Sequence, residues 1–310
     1  MAVSEHIARA GRWVAASRPG FLSVTLVAVT TGIAQAQACG CGWDPLGAVA
    51  TVLLALLTHA AVNLWNDYGD AVGGSDAVNT GRIGPFTGGS RFIQDGVFSA
   101  AQVRTAAINL AIVVIGGGLL LTARAGPGLL LVGLAGALLG WAYSSPRVAL
   151  MSRGLGELSV AAGWWLIVVG ADYVQRHAFS AIAMVSGVSL ALLVMNVLWV
   201  AQYPDAAADA TVGKRTLVVR WGPRPAAWAH LGSVLLAHGW LLAWWRADVL
   251  PMTAWWALGS LALSLPSAVL VIARADRPAV LKPAIVLAIA AAVSHGALLT
   301  AAFVAIARLR

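Results

Sequence analysis

Nine stretches of this chain stay apolar for the length of a lipid bilayer, at about 19–38, 46–66, 102–123, 128–145, 155–172, 178–203, 226–245, 251–273 and 283–306. A hydrocarbon core of roughly 30 Å takes about twenty such residues wound as a helix. Inside it, every backbone N–H and C=O must find its partner within the segment. The runs are continuous and rich in Leu, Ala, Val and Gly, without the ten-residue alternation of a spanning β-barrel. They predict an all-α, polytopic membrane bundle of about nine transmembrane helices, a single integral-membrane domain over 1–310. The composition, 60% hydrophobic and 10% charged, excludes an ordinary soluble domain. The first run begins near Phe21, lacks a clear cleavage site, and reads as a retained helix rather than a signal peptide. Pro127, Pro223, Pro225, Pro251 and Pro283 lie near predicted helix starts, where a missing amide donor costs little, whereas Pro266 is expected to kink the eighth span.

The net charge of +8 would suggest nucleic acid in a soluble protein, but here it follows topology and no nucleic-acid partner is expected. Arg9, Arg12, Arg18, Arg82, Arg91, Arg104, Arg147, Arg153, Lys214, Arg215, Arg220, Arg224, Arg274, Arg277 and Lys282 all fall on the N-terminal side of the bilayer. Arg124, Arg176, Arg246, Arg308 and Arg310 fall on the other. This bias predicts a cytoplasmic N-terminus, with the loops after spans two, four, six and eight on the same side. Cys39 and Cys41, the only cysteines, imply no disulfide framework and read as part of an ordinary loop.

Against this apolar background, two acidic stretches need a reason. Asn63, Asp67 and Asp70 are spaced i, i+4 and i+7, along one helical face, with Asn66 on a neighbouring face. Asp76 follows Gly73 and Gly74, so it is free to fold back toward them. Asp205 and Asp209 repeat the i, i+4 spacing at the end of the sixth span. Gathering these carboxylates is strongly repulsive unless cations neutralise them, and an all-oxygen donor set without paired His or Cys favours Mg²⁺. Magnesium typically completes its shell with water and substrate phosphate. Each acidic stretch is trailed by glycine and cations, Gly88-Gly89-Ser90-Arg91 and Gly213-Lys214-Arg215, suited to a phosphate or diphosphate. The connections 67–100 and 204–225 are therefore expected to be cytoplasmic active-site loops. A diphosphate on a hydrocarbon tail, such as an isoprenyl diphosphate, suits both the ionic mouth and the apolar bundle.

These residues resemble the UbiA superfamily of intramembrane prenyltransferases, whose first motif is Asn-x-x-x-Asp with further aspartates and whose second is Asp-x-x-x-Asp. Asn66-Asp67-Tyr68-Gly69-Asp70 with Asp76, Arg153-Gly154-Leu155-Gly156-Glu157-Leu158, and Pro204-Asp205 through Asp209 to Gly213-Lys214-Arg215-Thr216 look like the branch acting on 1,4-dihydroxy-2-naphthoate. The resemblance implies Mg²⁺ on Asn63, Asp67, Asp70, Asp76, Asp205 and Asp209, with Arg91, Lys214 and Arg215 on the diphosphate. It also implies transfer of a polyprenyl group to an aromatic acceptor with decarboxylation, in menaquinone biosynthesis at a bacterial inner membrane. One departure stands out. Related proteins often carry Asn four residues before the first Asp of the second motif, where this chain has Ala201 followed by Gln202.

Several further residues stay open on sequence alone. Glu157 is placed either to pair with Arg153 at i−4 or to stand near the acceptor. Tyr143 reads either as an interface anchor or as a cavity residue, and Asn196 as a cavity residue or an interhelical bond. His59 reads as packing. Other acceptors, such as 4-hydroxybenzoate or homogentisate, and a cation-coupled transporter are the alternative functions.

Overall fold

The computed structural model describes the backbone of residues 2–309 and the side chains from Arg9 onward; Arg310, counted above among the basic residues, lies outside them. The helices are α1 (Ala2–Ala16), α2 (Leu22–Ala38), α3 (Pro45–Gly73), α4 (Ser75–Val78), α5 (Ala100–Ala125), α6 (Gly128–Ser144), α7 (Gly156–Arg176), α8 (Ala181–Thr211), α9 (Leu217–Trp221), α10 (Pro223–Arg246), α11 (Leu261–Arg274) and α12 (Lys282–Ala307). Among the described residues, eight helical segments are long and apolar enough to cross a membrane, and α6 is a shorter apolar ninth. The protein is an integral membrane protein.

Two helices outrun their apolar segments. α3 has 29 residues and α8 has 31. At 1.5 Å per residue they are about 43 and 46 Å long, well beyond a hydrocarbon core of about 30 Å. Hydropathy falls near 66 and 203, but the backbone goes on satisfying its own hydrogen bonds for two more turns. Asp67, Asp70, Asp205 and Asp209 therefore sit on rigid helix rather than in loops. Gly74, at φ 83°, ends α3, and the short α4 then turns Asp76 back toward it.

Local signals set other boundaries. Pro45 opens α3, and a reciprocal capping box between Ser99 and Gln102 opens α5. Near Pro266 the departure from α geometry lies ahead of the proline, in the 3₁₀ segment Met252–Ser260. The main core joins α2, α7, α8, α10, α11 and α12 around Leu190, Leu193, Val200, Ile285 and Val168. Close helix approach depends on small residues, as expected inside lipid. A Cβ on Gly32 would overlap the Val168 carbonyl oxygen.

The two ends of the bundle are chemically distinct. One end carries the connections after α3, α6, α8 and α11, tied together by Arg215 N–H to Ser152 O at 2.9 Å and by Arg224 to Asp276 at 2.8 Å. The other carries the Asp44–Arg124 pair at 2.8 Å, the Asp172–Arg176 pair at 2.9 Å, and Cys39 with Cys41. The expectation of an ordinary loop there is corrected, because Cys39 and Cys41 form a disulfide. Gly40, at φ 73°, turns the chain so that the two Cα atoms lie 5.4 Å apart.

Candidate active site

The two acidic stretches, far apart in sequence, meet at one end of the bundle. Lys214 joins them directly, with Nζ 2.8 Å from Asp70 Oδ1 and 3.5 Å from Asp209 Oδ1. Its position follows from the end of α8, where the Lys214 N–H donates back to the Asp209 carbonyl at 2.9 Å. Burial alone would lower the Lys214 pKa, but attraction to Asp70 and Asp209 outweighs it and holds the ammonium well above its ordinary value.

The remaining carboxylates crowd the same cradle. Asp70 also accepts from Asn66 Nδ2 at 3.0 Å and from the Ser75 hydroxyl at 3.1 Å. Asp67 pairs with Arg18 and accepts weakly from the Ser90 N–H at 3.3 Å. Asp205 is held by Asn79 Nδ2 at 2.7 Å and by the Gly88 N–H at 3.0 Å. Asp76 is buried, and burial together with repulsion from Asp70 pushes its pKa up to about 6. Gly89 lies between two of these acids. At φ +72°, it has no room for a Cβ, which would fall 2.5 Å from Asp76 Oδ2 and 3.3 Å from Asp67 Oδ1.

Five carboxylates thus face two directly paired cations, Lys214 and Arg18. If all ionise, three formal negative charges remain in a largely desolvated place, an arrangement that calls for further positive charge. The donors are all oxygens, and Asp70, Asp76, Asp205 and Asp209 line one small cavity of about 90 Å³ with Lys214. Such a set fits a hard divalent cation such as Mg²⁺. Among the described residues, no cluster of three or more acidic, His or Cys side chains is already closed up as a metal cage. Lysine and arginine stand between the carboxylates instead.

Below the cradle lies an apolar chamber of about 250 Å³ between α2, α3, α6, α7 and α8. Arg18, Asn66, Phe86, Tyr143, Leu198 and Ala201 border both spaces, so ionic mouth and apolar chamber adjoin across a shared wall. Tyr143 is a cavity residue, which resolves one of the open readings. His59 also lines the chamber, with Nδ1 2.8 Å from the Thr25 hydroxyl and its ring edge-on to Trp164.

The other expected residues fall elsewhere. Asn63 lines the chamber, its Nδ2 donating to Ser17 O at 2.9 Å, while Asn66 sits beside the carboxylates. Arg91, in the left-handed region at φ 69°, turns its guanidinium onto the Asp76 carbonyl. Arg215 is exposed and lines neither space, because its backbone is tied to Ser152. Glu157 and Asn196 are buried outside both spaces. Glu157 does not pair with Arg153. The latter belongs to a 3₁₀ turn (Leu150–Arg153) closed by left-handed Gly154, so no continuous helix creates the i−4 geometry. Arg18 is one residue that sequence reasoning missed. It sits at φ 55° just before the 3₁₀ turn leading into α2, and only the tertiary fold brings it to Asp67.

The architecture is that of a polytopic membrane enzyme with a polyanionic mouth adjoining an apolar interior. Residues 25–285 match the UbiA prenyltransferase family, and the chain belongs to that family and is a prenyltransferase. It is 33% identical over 225 residues to the 1,4-dihydroxy-2-naphthoate octaprenyltransferase of Escherichia coli (strain K12), covering 70% of this chain and 71% of that protein. To the enzyme of the same name from Mycobacterium leprae (strain TN) it is 28% identical over 260 residues, 82% of each chain. Its fold is similar to that of a UbiA homolog from Archaeoglobus fulgidus bound to DMAPP and Mg²⁺, with TM-score 0.58 and 14% identity over 96% of this chain and 99% of that one.

Proposed function

We propose that the protein transfers a polyprenyl group from a polyprenyl diphosphate to 1,4-dihydroxy-2-naphthoate. The allylic C–O bond breaks with its electron pair leaving on diphosphate. A new C–C bond forms at the ring carbon bearing the carboxylate, which departs as CO₂ and leaves its bonding pair in the ring, giving the hydroquinone, a demethylmenaquinol. The observation that carries this reading is that the polyanionic cradle adjoins the apolar chamber across a shared wall. A substrate with an ionic head and a hydrocarbon tail fills both. The similarity to naphthoate octaprenyltransferases supports the choice of acceptor.

Asp67, Asp70, Asp76, Asp205 and Asp209 would hold Mg²⁺, with Asn66 orienting Asp70 and Asn63 facing the seam from the chamber. When bound, the metal supplies charge neutralisation for the diphosphate and makes it a better leaving group. The chain does the rest. Lys214, already inside the cradle, offers ammonium donors to the diphosphate, and Arg18 stands at the seam where head meets tail. The apolar walls keep water from the electron-poor allylic carbon until the ring attacks. Tyr143 and His59, two of the polar side chains that line the chamber, would orient the acceptor. Arg91 and Arg215 act only after a rearrangement that frees the first and turns the second inward.

The lysine and arginine bias supports an orientation with the acidic mouth toward the cytoplasm, and the similarity to a bacterial enzyme supports an inner-membrane location. Reporter fusions at residues 1 and 310 that signal the cytoplasm and the periplasm, respectively, would agree with it. The reaction itself is tested with purified protein in liposomes given Mg²⁺, a polyprenyl diphosphate and 1,4-dihydroxy-2-naphthoate, with 4-hydroxybenzoate in parallel. Demethylmenaquinol formation, read as demethylmenaquinone after oxidation by air, that EDTA abolishes is the expected result. Turnover of 4-hydroxybenzoate alone would overturn the acceptor. Metal uptake into sealed vesicles without prenyl transfer would turn the reading toward a transporter.

A further inference from the structure

The long loop after α4 places an amide in the cradle that neither acidic motif contains. Asn79, immediately after α4, is 6% exposed and lines the small cavity. Its Nδ2 donates to Asp205 Oδ1 at 2.7 Å, while the Gly88 N–H takes Asp205 Oδ2 at 3.0 Å. Both Asp205 oxygens are thereby held by the loop, and the direction of the Asn79 amide is fixed. Its other end, Oδ1, is buried and has no hydrogen-bond partner. A buried amide oxygen is ordinarily matched with a donor, so an unmatched one on a side chain that lines a cavity marks a place for a positive ligand.

Helix α8 shows the complementary deficit. One turn before Asp205 the cavity wall is Ala201, which offers only a methyl group. Gln202, the neighbouring amide, also lines the cavity with a buried, unpartnered Oε1, but it sits beside the buried Glu157 carboxylate and makes no bond to Asp205 like the one that fixes Asn79. A neutral oxygen is also what the cradle can accommodate best, because a sixth carboxylate would add to an uncompensated negative charge.

We propose that Asn79 donates its Oδ1 to the divalent metal of the diphosphate site, so that the loop supplies the oxygen that α8 lacks at Ala201. The proposal rests on the metal-and-diphosphate reading given above. It assigns Asn79 two roles, clamping Asp205 through nitrogen and binding metal through oxygen, and the two are separable by substitution.

The test is Mn²⁺ titration, followed by electron paramagnetic resonance, of purified protein in detergent with inorganic diphosphate. Thermal unfolding of each variant serves as the folding control. Asn79→Ala is expected to weaken Mn²⁺ binding about tenfold. Asn79→Asp keeps the oxygen but loses the donor to Asp205. It is expected to bind Mn²⁺ at least as tightly as the native protein while melting at a lower temperature without metal. Gln202→Ala is expected to bind normally. Native affinity in Asn79→Ala would overturn the proposal, as would equal losses in Asn79→Ala and Asn79→Asp, which would mark Asn79 as a loop clamp only. A loss confined to Gln202→Ala would give the role to Gln202. If Asn79→Ala does not give monodisperse protein, Asn79→Asp alone decides, with weaker binding overturning the idea. Absence of Mn²⁺ binding in well-folded native protein would instead remove the metal reading itself, and the proposal with it.

Discussion

The two ends of the bundle both carry acids and bases, but they balance them differently. At the end bearing the disulfide, the two ion pairs are one to one: Asp172 takes two hydrogen bonds from Arg176, each 2.9 Å, and Asp44 takes two from Arg124, at 2.8 and 2.9 Å. At the other end five aspartates share Lys214 and Arg18, and two buried amide oxygens, those of Asn79 and Gln202, lack a partner. A balanced pair completes a structure. An unbalanced cluster is stable only together with something else, and it concentrates the molecule's unspent electrostatic free energy where a charged ligand arrives.

The sharpest way to break this contrast is to neutralise the unbalanced end. Asp209→Ala is expected to lower prenyl transfer by about three orders of magnitude, as losing a group that stabilises transition-state charge does. It should leave thermal stability near native, because it also relieves repulsion; a product-formation assay and a melting curve check both. Asp172→Ala should do the reverse. Removing one member of that buried pair leaves Arg176 unpaired and costs about 3 kcal/mol of stability, while folded protein keeps its turnover. An Asp172→Ala protein that melts normally but is inactive would undo the distinction. A smaller effect comes from Gly89→Ala, where a new methyl forces Asp76 and Asp67 apart. Turnover there should fall by about one to two orders of magnitude, in line with misplacements of the order of an ångström, and added metal should not restore it. The smallest is Asp44→Ala, whose partner Arg124 is half exposed. Neither activity nor melting temperature should change measurably, because water replaces the lost partner.

The spans were legible in the sequence because the bilayer imposes a hard rule: a continuous apolar run of about twenty residues has one way to satisfy its backbone. The helix ends were not. Hydropathy reports where side chains leave the oil, and α3 and α8 keep winding beyond that point, so their carboxylates gained a rigidity the pattern did not reveal. Within the site, Asp67, Asp70, Asp205, Asp209 and Lys214 were readable because their partners lie at helical spacing or a few residues away. Arg18 and Asn79 were not, since Arg18 meets Asp67 across 49 positions and Asn79 meets Asp205 across 126. An arginine in a basic leader and an asparagine in a polar loop carry no local mark of a site. The Arg153–Glu157 pair was the opposite case, a correct spacing undone by the left-handed turn at Gly154.

The extra turns of α3 and α8 have a consequence for how the enzyme meets its substrates. They act as two stiff posts that raise the charged cradle to the level of the lipid headgroups, while the chamber beneath stays at the level of the acyl chains. On the proposed reading, a long-tailed diphosphate never leaves its own layer to react. The quantity that governs its rate is then a surface density, the mole fraction of prenyl diphosphate among the lipids, whereas the aromatic acid is drawn from a volume. Diluting the membrane with inert lipid at fixed total donor should slow the reaction, and diluting the buffer should do so only through the acceptor.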